Sequence, residues 1–122
     1  MLSTSKLTAF VATADADRAR GFYERVLGLR LVADEPFALI FDANGTTLRI
    51  AKVQSLAPAP YTVLGWSVND IASAVRALAA NGAVFERFDG MAQDEVGVWA
   101  SPGGAKVAWF KDPDGNLLSV TE

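Results

Sequence analysis

The pattern of apolar and polar positions predicts a strand, then a helix, then three strands in the first half of the chain. A short apolar run over residues 7–12 predicts a buried strand. Asp15 is suited to cap a following helix, in which apolar residues recur at helical spacing over residues 19–27. Gly28 suits the left-handed position past the helix end, and Asn44-Gly45 is typical of a two-residue hairpin turn. The strands predicted after the helix cover residues 29–33, 37–42 and 46–53.

The same order of elements starts again after a proline-containing linker at residues 54–60. Asp70 is the second predicted cap, a helical stripe covers residues 71–79, and Gly82 follows it. The strands predicted in this half are residues 62–68, 84–88, 96–100, 105–110 and 117–121. The sequence therefore predicts an α+β fold in a single domain, residues 1–122, with βαβββ modules at residues 6–53 and 61–122. One helix covers one face of a sheet, so two such sheets brought together would enclose a cup.

Composition excludes several classes of protein. The chain of 122 residues has no cysteine and no histidine, which rules out disulfides, thiolate or imidazole metal ligands and a cysteine nucleophile. The net charge is −3 and the basic residues are scattered, so nucleic acid is not an expected partner. The apolar runs are far shorter than the roughly 20 residues of a membrane span, and no signal-peptide pattern is present. We expect a cytoplasmic protein.

The order and spacing of several short motifs resemble the vicinal oxygen chelate superfamily, which includes glyoxalase I, extradiol dioxygenases and bleomycin-binding resistance proteins. The resemblance covers nearly the whole chain, and it rests on the combination of motifs rather than on any one of them. The matching motifs are Asp15, Phe22-Tyr23, Leu27-Gly28-Leu29, Val68-Asn69-Asp70, Asn81-Gly82 and Asp112-Pro113-Asp114-Gly115-Asn116. The resemblance implies two βαβββ modules that form a cup around a ligand.

Metal enzymes of that superfamily hold their ion with side chains from the first and last strands of each module. Carried over by distance from the matching motifs, these positions are Thr8, Arg49, Val63 and Ser119. Threonine and serine hydroxyls are weak neutral donors, valine has no donor, and arginine is a fixed cation. The sequence therefore predicts no metal at these positions and no cofactor.

The resemblance and the alternation of strand side chains together predict the residues that line the cup. If Thr8 points inward, Phe10 does too, and Ser119 and Val63 belong to the same lining in the second module. Trp99 and Trp109 are further candidates for ligand contact, although aromatics on strands are as often ordinary core. Because Trp109 and Phe110 lie on opposite faces of their strand, only one of the two can turn inward.

Charged side chains suggest two more roles, each with a structural alternative. Arg49 could clamp an anionic group of a ligand, or it could form an internal salt bridge or lie exposed at the rim. Asp94 and Glu95 lie in the longest irregular stretch and are weak candidates for a general acid–base pair. The alternative for both carboxylates is a solvated turn.

The function expected from the sequence is metal-independent binding of an unidentified small organic ligand in the cup. One alternative is a lyase, isomerase or dioxygenase-type enzyme of the same superfamily that uses carboxylates or an atypical metal site. Another is an interaction module that receives a peptide or a second subunit. A homodimer is expected, because members of the superfamily commonly pair their modules across two chains.

Overall fold

The computed structural model describes residues 1–122. Residue contacts divide the chain into two compact units, Met1–Ala57 and Pro58–Glu122. Each unit contains one four-stranded sheet, in which one edge strand pairs in parallel with its neighbour and the other pairs are antiparallel. The α+β class and the two βαβββ modules predicted from the sequence are confirmed. None of the helices has the length and apolar composition of a membrane span.

The first unit builds its sheet in the order β1-β4-β3-β2. Its elements are β1 (Thr8–Thr13), α1 (Ala16–Gly21) with a π-helical continuation (Phe22–Val26), β2 (Arg30–Asp34), β3 (Ala38–Ala43) and β4 (Thr46–Lys52). Asp15 caps α1 by accepting a hydrogen bond from the backbone N–H of Arg18, as predicted. The Tyr23 ring is fully buried and lies 5.8 Å from the Phe41 ring, centroid to centroid. The helix therefore covers one face of this sheet, on which Leu48 and Ile50 are also fully buried.

The opposite face of the first sheet carries the candidate residues of this unit. Phe10 is paired in register with Arg49, and Thr8 is paired with Thr47. Phe10 is 62% exposed, whereas its neighbour Val11 on the other face is buried. This alternation is the period-two pattern of a strand with one covered face.

The second unit repeats this plan in the order β5-β8-β7-β6. Its elements are β5 (Leu64–Ser67), α2 (Ile71–Ala80), β6 (Trp99–Ala100), β7 (Lys106–Lys111) and β8 (Leu117–Thr121). α2 packs on β7 and β8, and its Val75 is buried together with Phe110 and Leu118. The predicted cap Asp70 accepts a hydrogen bond from the backbone N–H of Ser73, and Gly82 has a φ of 113° past the helix end.

The strand predicted over residues 84–88 is wrong. Its pairing with β7 is limited to an isolated bridge between Phe85 and Phe110, in which the Glu86 N–H donates to the Trp109 carbonyl. Two residues further on, the N–H of Phe88 donates to Oε1 of the Gln93 side chain and not to a carbonyl of a neighbouring strand. A side chain therefore replaces the strand partner, and the ladder stops.

Candidate functional site

Three aromatic rings meet on the face of the second sheet that α2 does not cover. The Trp109 and Trp99 rings are 6.0 Å apart between centroids and tilted by 37°. The Phe88 ring meets Trp109 edge to face at 5.5 Å. The indole Nε1 of Trp109 donates a hydrogen bond of 3.0 Å to Oγ1 of Thr62, which fixes the orientation of the ring. The cluster therefore presents an oriented indole with two further aromatic rings next to it.

A cavity of about 300 Å³ opens against this cluster. Its volume is at the lower end of the range typical of small-molecule pockets. Most of the wall is aromatic or aliphatic, and Thr62 contributes a hydroxyl. The lining residues are Pro60, Tyr61, Thr62, Phe88, Met91, Trp109 and Leu117. Tyr61 is 66% exposed and lies at the open side. We call this space the aromatic cavity.

The strand register explains why Trp109 reaches the cavity while Phe110 does not. Phe110 is fully buried on the α2 side of the sheet, with its ring 5.3 Å from that of Phe85. Trp109 is paired in register with Ser119, and Ser119 with Gly65. A Cβ on Gly65 would lie 2.8 Å from Oγ of Ser119, so the glycine leaves room for the serine side chain. The two positions across the sheet from the indole are therefore occupied by small residues.

Asp94 and Glu95 do not join the aromatic cavity. Asp94 lines a separate cavity of about 280 Å³, which also includes Ile71 and Lys106 and shares no residue with the aromatic cavity. Oδ1 of Asp94 accepts hydrogen bonds from the backbone N–H groups of Val96 and Val98. Glu95 is exposed on the same turn. Oδ1 of Asp94 therefore organises the turn that leads into β6.

Arg49 lies on the uncovered face of the first sheet with a carboxylate near it. Its Nη2 is 3.9 Å from Oε1 of Glu35, and the side chains of Arg49 and Glu35 are 39% and 51% exposed. At this distance and exposure the ion pair contributes little to stability. Arg49 is therefore a partly solvated cation beside Phe10 rather than a buried one.

The model of the Glyoxalase/Bleomycin resistance protein/Dioxygenase superfamily matches residues 7–120 of the sequence. The chain belongs to this superfamily. No curated protein matches the sequence. The superfamily's fold extends over the whole chain, as the solved structures that resemble it show.

Three solved structures of similar fold illustrate the likeness. A glyoxalase family protein from Enterococcus faecalis is 18% identical, with a TM-score of 0.77 and full coverage of both chains. The bleomycin resistance determinant encoded on transposon Tn5 is 22% identical, with a TM-score of 0.76 and 98% coverage of each chain. Lactoylglutathione lyase from Agrobacterium tumefaciens is 20% identical, with a TM-score of 0.75, and covers 98% of this chain and 93% of its own. At these identities the likeness establishes the fold alone.

In this superfamily member, the side chains at the four positions predicted to correspond to metal ligands do not suit a divalent cation. Val63 has a hydrocarbon side chain, and Arg49 places its guanidinium beside Glu35. Ser119 is 6% exposed, and both it and Thr8 offer only a neutral hydroxyl, a weak ligand for a hard cation. The closing turn does not supply a substitute. There, Asp112 accepts hydrogen bonds from the N–H groups of Asp114 and Asn116 and from the Asn116 side chain.

Sequence reasoning missed several residues of the aromatic cavity. From the sequence, Tyr61 is only the first residue of the second module, Phe88 belongs to a predicted strand, and Met91 lies in an irregular stretch. The irregular stretch is ordered by Gln93, whose Nε2 donates to the carbonyls of Glu86 and Gly97 at 2.9 and 3.0 Å. These bonds join residues that follow no periodic pattern, so the sequence carries no local signal for them.

Proposed function

We propose that this superfamily member binds a small organic molecule without a metal ion, and that the aromatic cavity of the second unit is its binding surface. The observation that carries the proposal is the indole of Trp109, held by Thr62 and flanked by Phe88, at the wall of a cavity of about 300 Å³. An oriented aromatic wall with one hydroxyl is suited to a flat, mainly apolar ligand.

Two features support binding rather than chemistry. The aromatic cavity is lined by no carboxylate, lysine or arginine that could act as an acid or base. The carboxylate candidate Asp94 lines a different cavity and accepts backbone hydrogen bonds. A metal ion is also not needed for the interactions proposed here, since ring stacking and apolar burial provide the affinity.

Binding of phenylnaphthylamine, an uncharged flat probe whose emission rises in apolar surroundings, tests this proposal. We expect Trp109→Leu to weaken probe binding by about 1 kcal/mol, or about fivefold, because the stacking surface is lost. Chelator treatment should leave the affinity of the wild-type protein unchanged. The dissociation constant is measured by titration of probe emission.

Trp66→Leu is the matched control, since Trp66 is a tryptophan of the same sheet that lies in register with Val120 on the α2 side. We expect this variant to bind the probe within about twofold of wild type. If both substitutions weaken binding equally, or if neither weakens it, the probe binds elsewhere and the proposal is contradicted. Loss of binding with chelator would contradict metal independence.

A further inference from the structure

A second cavity of about 370 Å³ adjoins the aromatic cavity. Three residues line both spaces, so the two lie next to each other along a shared wall, and we call the pair the groove. The shared residues are Pro60, Phe88 and Leu117. The second cavity adds Lys111 to its lining, whereas the aromatic cavity contains no charged side chain. The groove is therefore apolar at one end and carries a cation at the other.

The strand β7 fixes the relation between the ring and the cation. Lys111 lies two residues after Trp109, so both side chains leave the same face of the sheet. Residues at this separation on a strand have Cα atoms roughly 6.6–6.8 Å apart. Lys111 is also paired in register with Leu117, which lines both cavities. A molecule that stacks on the indole can thus reach the ammonium with a substituent that is attached directly to its ring or through one or two further bonds.

The present partner of Lys111 leaves its ammonium available. Nζ of Lys111 lies 3.5 Å from Oε1 of Glu86, and the two side chains are 51% and 29% exposed. Such a half-solvated pair contributes little, and an ammonium has three donors, of which one carboxylate oxygen engages one. The nearest acid in sequence, Asp112, is buried and already accepts three hydrogen bonds in its turn.

Gly115 and Pro58 close the groove at the Lys111 end. Gly115 has a φ of 89°, and a Cβ there would come within 3.1 Å of Cγ of Pro58. The turn therefore brings the linker proline against the groove, and no further charged side chain lines this end.

We propose that the ligand of the second unit is a flat aromatic anion, whose ring stacks on Trp109 and whose carboxylate, sulfonate or phosphate binds Lys111. This inference rests on the proposed function and adds the charge of the ligand to it. The acidic group replaces Glu86 as the partner of the ammonium, and the ring occupies the aromatic cavity.

Two probes that differ by one charged group test the inference. Anilinonaphthalenesulfonate carries a sulfonate that phenylnaphthylamine lacks, and the two share the same rings. We expect Lys111→Met to weaken binding of the sulfonate probe by about tenfold and to leave the uncharged probe within about twofold. Lys111→Arg should keep the affinity for the sulfonate probe, because it keeps the cation. The measurement is probe titration at constant ionic strength, after thermal melting shows that each variant is folded.

Lys106→Met is the matched control. Lys106 belongs to the same strand and its Nζ lies 3.8 Å from Oε2 of Glu122, but it lines the separate cavity that contains Asp94. It should leave both probes unaffected. Equal binding of the two probes by the wild-type protein, or equal loss with Lys106→Met and Lys111→Met, would overturn the anion site while leaving the aromatic cavity intact. Failure of both probes to bind would overturn the proposed function together with this inference.

Discussion

Asp70 shows how one side chain couples the start of a helix to pH. Its Oδ1 accepts a hydrogen bond of 3.1 Å from the backbone N–H of Ser73 at the first turn of α2. This hydrogen bond to the backbone lowers the pKa of Asp70, because it favours the charged carboxylate. The helix dipole acts in the same direction. The carboxylate is therefore more acidic in the folded chain than in the unfolded chain.

The pH dependence of stability follows from the sign of this shift. A lowered folded-state pKa contributes stability above the unfolded value of about 3.9, and this contribution is lost as the pH falls through the folded-state pKa. Asparagine also caps helices but does not titrate in this range. We therefore expect the free energy of unfolding of Asp70→Asn to change less between about pH 6 and about pH 3 than that of wild type, as measured by urea unfolding.

Asp89→Asn, on an exposed turn of the same unit, is the control for this comparison. It should follow the wild-type pH profile closely. A profile of Asp70→Asn that is indistinguishable from wild type would mean that the cap contributes no charge-dependent stability.

At the scale of elements, the segment between α2 and β6 depends on one glutamine. Gln93 donates from Nε2 to the carbonyls of Glu86 and Gly97, and its Oε1 accepts from the N–H of Phe88. These bonds link the two ends of the segment and hold the backbone of Phe88, which lines the aromatic cavity. The side chain thus takes the part that a neighbouring strand would otherwise play.

Removing this side chain should be costly, because it leaves three partly buried backbone groups without their partner. We expect Gln93→Ala to lower the free energy of unfolding by about 1–3 kcal/mol, and to weaken binding of the uncharged probe through Phe88. Gln54→Ala, at an exposed position of the linker, should change stability by less than about 0.5 kcal/mol. Urea unfolding compares the two variants. Equal stabilities would show that the Gln93 bonds are replaced by water at no cost.

The helices and hairpins were predictable from the sequence because their signals are local. Asp15 and Asp70 cap the predicted helices, and Asn44 and Gly45 both have positive φ in the predicted hairpin turn. The segment over residues 84–98 was not predictable in the same way, since its order comes from side-chain bonds between residues that share no period. The aromatic cavity was predicted only in part for the same reason: Trp109 is a strand residue, whereas Phe88 and Met91 come from this segment.

At the scale of the whole molecule, superfamily membership fixes the fold and leaves the chemistry to individual positions. The solved structures of similar fold include a lyase and a bleomycin resistance determinant, so the same two modules serve different activities. In this chain the positions predicted from the sequence to correspond to metal ligands are Thr8, Arg49, Val63 and Ser119, and none of them is a carboxylate, histidine or cysteine. The features of this chain that favour ligand binding are instead the aromatic cavity and Lys111.

Exposed apolar side chains and unpaired strand edges predict the oligomeric state of the protein. Phe10, Phe37 and Val84 are 62%, 82% and 75% exposed in the single chain, and strands β1 and β2 end the first sheet with unpaired edges. Covering such side chains and edges is a common reason for self-association. We expect native mass spectrometry to show a homodimer of the 12.9 kDa chain, without a stoichiometric metal ion.

Comparison with the mass under denaturing conditions separates the parts of this prediction. A protomer mass equal to the denatured mass would show that neither a metal nor a tightly held molecule is carried through purification. Extra mass that disappears on denaturation and matches an aromatic acid would identify the ligand class inferred from Lys111. A monomer at micromolar concentration would contradict the homodimer. One metal ion for each chain would contradict metal-free binding. Because the four strand positions lack suitable ligands, such an ion would have to bind carboxylates elsewhere in the chain.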